Sequence, residues 1–137
     1  MITEELYREL KKITEEEARI LNGDTKIETA IYMSQEAAVE DAYIVDAKKL
    51  LDAGKLIQVR PHTRFVHFPK HTHNYIEVIY MCCGTTHHVI DGEDVWLREG
   101  EMLFLNQKAE QEIFPESEYD NALKYFILPE YISCSAF

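Results

Sequence analysis

His71-Thr72-His73-Asn74-Tyr75-Ile76-Glu77 is the stretch from which the fold of this chain is read. In an extended strand, side chains two apart share a face, so His71, His73, Tyr75 and Glu77 are expected to point the same way. Two imidazoles and a carboxylate converging from one strand make a polar cluster. Inside a small barrel such a cluster must be satisfied by a ligand, a metal, water or its own members. Two histidines and one carboxylate also suit a metal face for Fe, Ni, Zn or Mn. On a surface strand the same residues are solvated side chains, so the surrounding sequence decides. Past Glu77, Ile79 and Met81 continue the inward face and Ile76, Val78, Tyr80 and Cys82 take the other, which implies a strand covered on both sides.

Working outward, similar short runs rich in Val, Ile, Phe and Tyr recur at Leu56–Arg60, Arg64–Phe68, Tyr75–Cys83, Thr85–Asp91, Asp94–Arg98, Glu101–Asn106 and Ala122–Leu128. Between them stand Pro61, Pro69, Gly84, Asp91-Gly92, Gly100 and Pro115. Strands at this spacing predict a mainly β protein, an antiparallel sandwich or barrel. Asp91-Gly92 between alternating runs predicts a hairpin turn. Residues 1–54 read as a small helical N-terminal layer with one strand, packed on a barrel formed by residues 55–137. In that layer one helix is expected from the cap at Thr3 to Asn22-Gly23, with an apolar stripe of Leu6, Leu10, Ile13, Ile20 and Leu21 that Glu17 interrupts. Ile27–Met33 reads as a strand, Ser34–Val39 as a short helical turn and Asp46–Ala53 as a helix ended by Gly54.

Composition sets the outer bounds. The chain has 137 residues, 46% hydrophobic and 28% charged, an ordinary globular mix. No apolar run is long enough to span a bilayer, and the N-terminus lacks the pattern of a signal peptide. Three cysteines, two of them adjacent, point to free thiols and a cytoplasmic location. With 25 acids against 14 bases the net charge is −11, which opposes a phosphate backbone, so no DNA binding by this chain alone is expected.

The spacing of His71-x-His73, Glu77 and Gly84 resembles the first motif of the cupin superfamily. The run Gly100-Glu101-Met102-Leu103-Phe104-Leu105-Asn106, continuing to Gln111, resembles the second. The resemblance implies a cupin-type jelly-roll barrel with the two motifs on facing strands. Within the superfamily, the stretch from His62 to Glu77, the run from Gly100 and the lead-in Asp46–Ile57 resemble the N-terminal sensor domain of AraC-type transcription regulators. That resemblance implies a domain that binds a small effector, with helical parts mediating dimerisation and a separate helix-turn-helix module contacting DNA. No helix-turn-helix pattern is present in this sequence, so the expected role is that of the sensor and dimerisation domain alone.

The chain departs from the cupin pattern where metal is concerned. Asn106 and Lys108 replace a proline and a glycine, and Gln111 stands where the superfamily has its last histidine ligand. A glutamine carbonyl is a poorer ligand than imidazole. The expectation is therefore an effector site built from His71, His73, Tyr75, Glu77, Phe104 and Gln111, with no cofactor required. His71, His73, Glu77 and Gln111 are the ligands if a divalent metal such as Zn, Ni, Fe or Mn binds. The expected partners are a small polar effector, such as a sugar or a hydroxy-acid, and a second copy of the chain in a homodimer. The competing reading is a small metal-dependent cupin enzyme, an isomerase or dioxygenase, using His71, His73 and Glu77. A third is a dimerisation module that binds no ligand. Of the adjacent pair His87-His88, at most one can face the interior. His62 and His67 read as satisfied or solvated, and Trp96 as a packing residue.

Overall fold

A computed structural model describes residues 3–24, 26–33 and 43–131. Two helices open the chain, α1 (Glu4–Lys11) and α2 (Glu15–Leu21). The single helix expected here is broken because Thr14 starts a new one. Its hydroxyl accepts from the Glu17 amide at 3.2 Å, while the Glu17 carboxylate accepts from the Thr14 amide at 3.1 Å. The segment expected as a strand contains instead the short helix α3 (Thr29–Tyr32). Packing overrides strand propensity here, because Ile27, Tyr32 and Met33 all sink into the core and Tyr32 meets Phe68 edge to face at 5.0 Å. The helical turn expected at Ser34–Val39 lies outside the described residues. The helix read at Asp46–Ala53 shortens to α4 (Ala47–Leu50), capped by Asp46.

Nine strands follow among the described residues: β1 (Tyr43–Val45), β2 (Ile57–Pro61), β3 (Phe68–His73), β4 (Ile76–Cys83), β5 (Thr85–Ile90), β6 (Glu93–Arg98), β7 (Met102–Leu105), β8 (Gln111–Ile113) and β9 (Asn121–Ile127). They form two sheets of order β1-β3-β8-β5-β6 and β2-β9-β4-β7, a jelly roll. Every pairing is antiparallel except β1 with β3. The expected hairpin joins β5 to β6. Asp91 (φ 49°) and Gly92 (φ 85°) are both left-handed, as the turn matching the twist of paired strands requires. Gly84 (φ 74°) has a second constraint, because a Cβ there would collide with Asp120 and come within 2.7 Å of the Tyr119 carbonyl.

Arg64–Phe68 is not the strand its composition suggests. Phe65 takes φ 72°, and the buried Arg64 turns inward to grip Glu17. The Glu17 carboxylate accepts from the Arg64 amide at 2.9 Å, from Nε at 2.7 Å and from Nη2 at 3.1 Å. The same guanidinium donates to the carbonyls of Lys12 (3.2 Å) and Glu118 (3.1 Å) and to Asn121 Oδ1 (3.1 Å). Glu17, which seemed to spoil the apolar stripe of α2, is thus the clasp that fastens the helical layer to the barrel. Burial raises its carboxyl, but the Arg64 hydrogen bonds and charge and the Thr14 amide outweigh that, leaving it below the usual value.

Two apolar clusters fill the barrel. One joins the helical layer to Val66, Phe68, Tyr75, Ile113 and Phe126. The other gathers Ile79, Met81, Leu97, Leu105, Ala109 and Ala122. Tyr75, just before β4, belongs to the first and Ile79, within it, to the second. Along β9, Phe126 and Ala122 divide the same way. The residues between them, Glu77 and Lys124, mark a polar layer.

Candidate functional site

The strand read through residues 71–77 is interrupted. β3 ends at His73 and β4 begins at Ile76, so His71 and His73 lie in one sheet and Glu77 in the other. Asn74 makes the break by serving α4: its side chain accepts from the Ala47 amide at 2.8 Å and donates to Asp46 at 3.1 Å. The period-two argument for a shared face therefore fails, yet the residues still meet, because the two sheets face each other. His71 pairs in register with Gln111 on β8, and all of His71, His73, Glu77 and Gln111 are at most 5% exposed.

Glu77 is the hub. Gln111 Nε2 donates to its carboxylate at 2.6 Å, His73 Nε2 stands 3.4 Å away and Lys124 Nζ approaches the other oxygen at 3.4 Å. Burial raises this carboxyl, but the charges of Lys124, His73 and His71 and the Gln111 hydrogen bond bring it down to about 2. The histidines are oriented by backbone: His71 Nδ1 bonds the Pro69 carbonyl at 2.8 Å and His73 Nδ1 the Tyr75 carbonyl at 2.6 Å. Burial pushes the His71 ring down to about 4, against its Pro69 hydrogen bond and the Glu77 charge, so it is neutral at pH 7. Tyr75 stacks on His73 at 4.6 Å and is fully packed.

Phe104 does not belong to this group. It is 68% exposed, because the alternation of β7 turns Leu103 and Leu105 inward and Phe104 out. Trp96 is also outside, 57% exposed and stacked at 4.2 Å on His87, which Phe114 covers from another side at 4.7 Å. Of the adjacent pair, His88 faces inward. It bonds Thr86 at 2.8 Å and is pushed to about 3 by burial and by the neighbouring charges of His62 and Lys124.

Two further participants, Lys124 and Glu116, went unread in the sequence, and His62, read as satisfied or solvated, is satisfied by Glu116. Lys124 reaches Glu77 from β9, and its position in the Ala122–Leu128 run gave no sign of facing inward. His62 and Glu116 form a buried contact of 2.6 Å across 54 positions of sequence. Burial drives the imidazole down and the carboxyl up to about 8, so both favour their neutral forms. A cavity of about 480 Å³ opens beside this layer, between α2 and α3 on one side and β2 and β9 on the other. Glu16, Tyr32, Arg60, His62, Thr63 and Lys124 line it.

The arrangement does not fit a metal centre of the kind the superfamily implies. The Glu77 oxygens are engaged by an amide nitrogen and an ammonium, both donors, in the position where a metal would need a free carboxylate. Among the described residues, no group of three or more His, Cys, Asp or Glu side chains is gathered to hold an ion. His73 Nε2, His88 Nδ1 and Gln111 Oε1 are buried in this layer without a hydrogen-bond partner.

A jelly roll with a buried polar layer and a cavity beside it belongs to the cupin class of ligand-binding barrels. More narrowly, the sequence pattern of the AraC-like ligand binding domain matches residues 56–129, more than half of the chain, and the chain belongs to that family. No curated protein sequence matches it significantly. Among solved structures, a cupin protein from Bacteroides fragilis is similar at 22% identity, covering 71% of this chain and 84% of that one, with a TM-score of 0.44. The EutQ protein of Clostridium difficile is similar at 22% identity and a TM-score of 0.43, over 53% of this chain and 55% of that one. This chain therefore spans little more than half of EutQ. A predicted oxalate decarboxylase from Thermotoga maritima is similar at 20% identity, 53% and 64% coverage and a TM-score of 0.43.

Proposed function

We infer that this domain senses a small polar effector, acts as a homodimer and works as the ligand-binding part of an AraC-type transcription regulator. The observation that carries the reading is the cavity beside the polar layer, where Tyr32, Arg60, His62, Thr63 and Lys124 present donors and acceptors to a space of about 480 Å³. Family membership supports effector binding. The net charge of −11 argues that DNA is contacted by another module and not by this domain. Among the described residues no helix is long and apolar enough to cross a membrane.

Dimer formation is supported by the outer face of the β2-β9-β4-β7 sheet. Val59, Tyr125, Val78 and Phe104 lie in one register row, and Pro61, Leu123, Tyr80 and Met102 in the next. Neither row contains a charge, and Val59, Met102 and Phe104 are at least 45% exposed. An apolar face of this kind, on a chain otherwise rich in acids, favours a second copy as its cover.

The test is a thermal-shift and calorimetry screen of sugars, polyols and hydroxy-acids against the protein with and without EDTA. At least one compound should raise the melting temperature, EDTA should leave it unchanged, and no compound should be consumed. Glu77→Ala should cost about 1–3 kcal/mol of stability, because Gln111 and Lys124 lose their buried partner. A screen without hits, or a metal-dependent turnover of any compound, would overturn the sensing reading.

A further inference from the structure

The paired strands β2 and β9 set two cations against each other. Arg60 and Lys124 are direct partners in the antiparallel register, and both side chains line the cavity beneath α2 and α3. Like charges opposed on neighbouring strands destabilise a sheet, and more so where water is partly excluded. The chain has acids in excess, 25 against 14 bases, yet among the described residues none forms an ion pair with Arg60. Among the described residues the Arg60 side chain makes no hydrogen bond and no ion pair; its interaction is electrostatic, with Tyr32. Among the described residues Lys124 has a single ion pair, to Glu77 at 3.4 Å, and it shares that carboxylate with Gln111.

The opposite wall is different in character. Glu16 is held there by the Tyr32 hydroxyl, which donates to it at 2.7 Å, and by Thr63, which donates at 3.3 Å. Neither Glu16 nor its neighbour Glu15 forms an ion pair with Arg60 or Lys124, although both line the same cavity. One side of the space thus offers cations without a full set of counter-charges; the other offers the Tyr32 and Thr63 hydroxyls and the carboxylates of Glu15 and Glu16, its one cation, Arg19, being paired with Glu28 at 2.9 Å.

The geometry points to an effector that is a small hydroxy-acid. Its carboxylate lies between the Arg60 guanidinium and the Lys124 ammonium, and its hydroxyls meet Tyr32, Thr63 and Glu16. This rests on the reading of the domain as an effector sensor and adds the charge and polarity pattern of the ligand. A guanidinium matches the two oxygens of a carboxylate with parallel N–H donors, and an ammonium adds a compact charge. A neutral sugar would leave Arg60 unpaired, and Lys124 with Glu77 alone, in a site it had sealed from water. Bound anion would also relieve the repulsion between β2 and β9, so binding and barrel stability are coupled.

Matched pairs that differ in the carboxylate test the assignment on the intact chain: galacturonate against galactose, gluconate against glucitol, and lactate against propane-1,2-diol, by thermal shift and calorimetry. The acid should bind in at least one pair while its neutral partner does not. Arg60→Gln should then weaken the acid roughly tenfold or more, the loss of one charge-assisted contact, and should raise the melting temperature of the free protein by removing the opposed charge. Lys124→Met gives a second reading of affinity but exposes Glu77, so Arg60→Gln is the deciding variant. Neutral members binding as tightly as acids, or Arg60→Gln leaving acid affinity unchanged, would overturn the carboxylate site and leave the sensing reading in place. Hits found only among neutral compounds of the wider screen would overturn it too. No binding by any compound would instead remove the sensing reading on which it rests.

Discussion

Glu17→Met cuts the clasp between the helical layer and the barrel. The carboxylate it removes accepts three hydrogen bonds from Arg64, at 2.7, 2.9 and 3.1 Å, and one from the Thr14 amide. Arg64 is 2% exposed, so its guanidinium would remain buried, still held by carbonyls but without its counter-charge. Removing one partner of a buried pair costs about 3–5 kcal/mol. For a domain of this size each kcal/mol moves the melting temperature by roughly 3–4 °C, so a loss on the order of 10–20 °C is expected. Arg64→Met should cost as much, because it strands the Glu17 carboxylate. The double variant should be more stable than either single one, since no buried charge is left alone. Thermal and urea unfolding followed by circular dichroism measure all four proteins. The pH dependence supplies an internal check. The Glu17 carboxyl is held below its ordinary value of 4.5, so its contribution is present above that pH and is lost as pH falls further. A loss under about 1 kcal/mol for Glu17→Met, the scale of exposed ion pairs, or strict additivity in the double variant, would refute the clasp.

Acid should weaken the barrel through its buried imidazoles: His71 and His88 titrate near 4 and 3 in the folded chain against 6.5 unfolded, so the unfolded state takes up protons first and each ring removes about 1.4 kcal/mol per pH unit below 6.5. Glu116, raised to about 8, acts in the opposite sense and loses its contribution as pH rises toward 8. His88→Gln should flatten the stability profile between pH 6.5 and 4 by about one proton; an unchanged slope in urea titrations would count against a neutral buried His88. For the apolar sheet face, light scattering should give twice 16.0 kDa for the wild type and a smaller mass for Phe104→Glu at unchanged circular dichroism. A wild-type monomer at tens of micromolar would sink the dimer.

The alternation of apolar residues and the turn residues between them were enough to establish the β architecture, the Asp91-Gly92 hairpin and most strand positions, because those signals are local. The cupin spacing likewise brought His71, His73, Glu77 and Gln111 together on paper, and the barrel brings them together in space. What only the tertiary structure decided depends on residues far apart in the chain. Glu17 reads as a flaw in a helical stripe until Arg64, 47 positions on, turns inward to meet it. Ile27–Met33 has strand composition but is helical where Tyr32 packs on Phe68. β1 and β8 have three residues each, too few for a period to register. Phe104 is turned outward by a strand register that no short window contains. Lys124 becomes a site residue only because β9 lies between β2 and β4, which sets its ammonium beside Arg60 and above Glu77. Periodicity determines which faces exist, whereas the pairing of distant strands determines which charges those faces bring together.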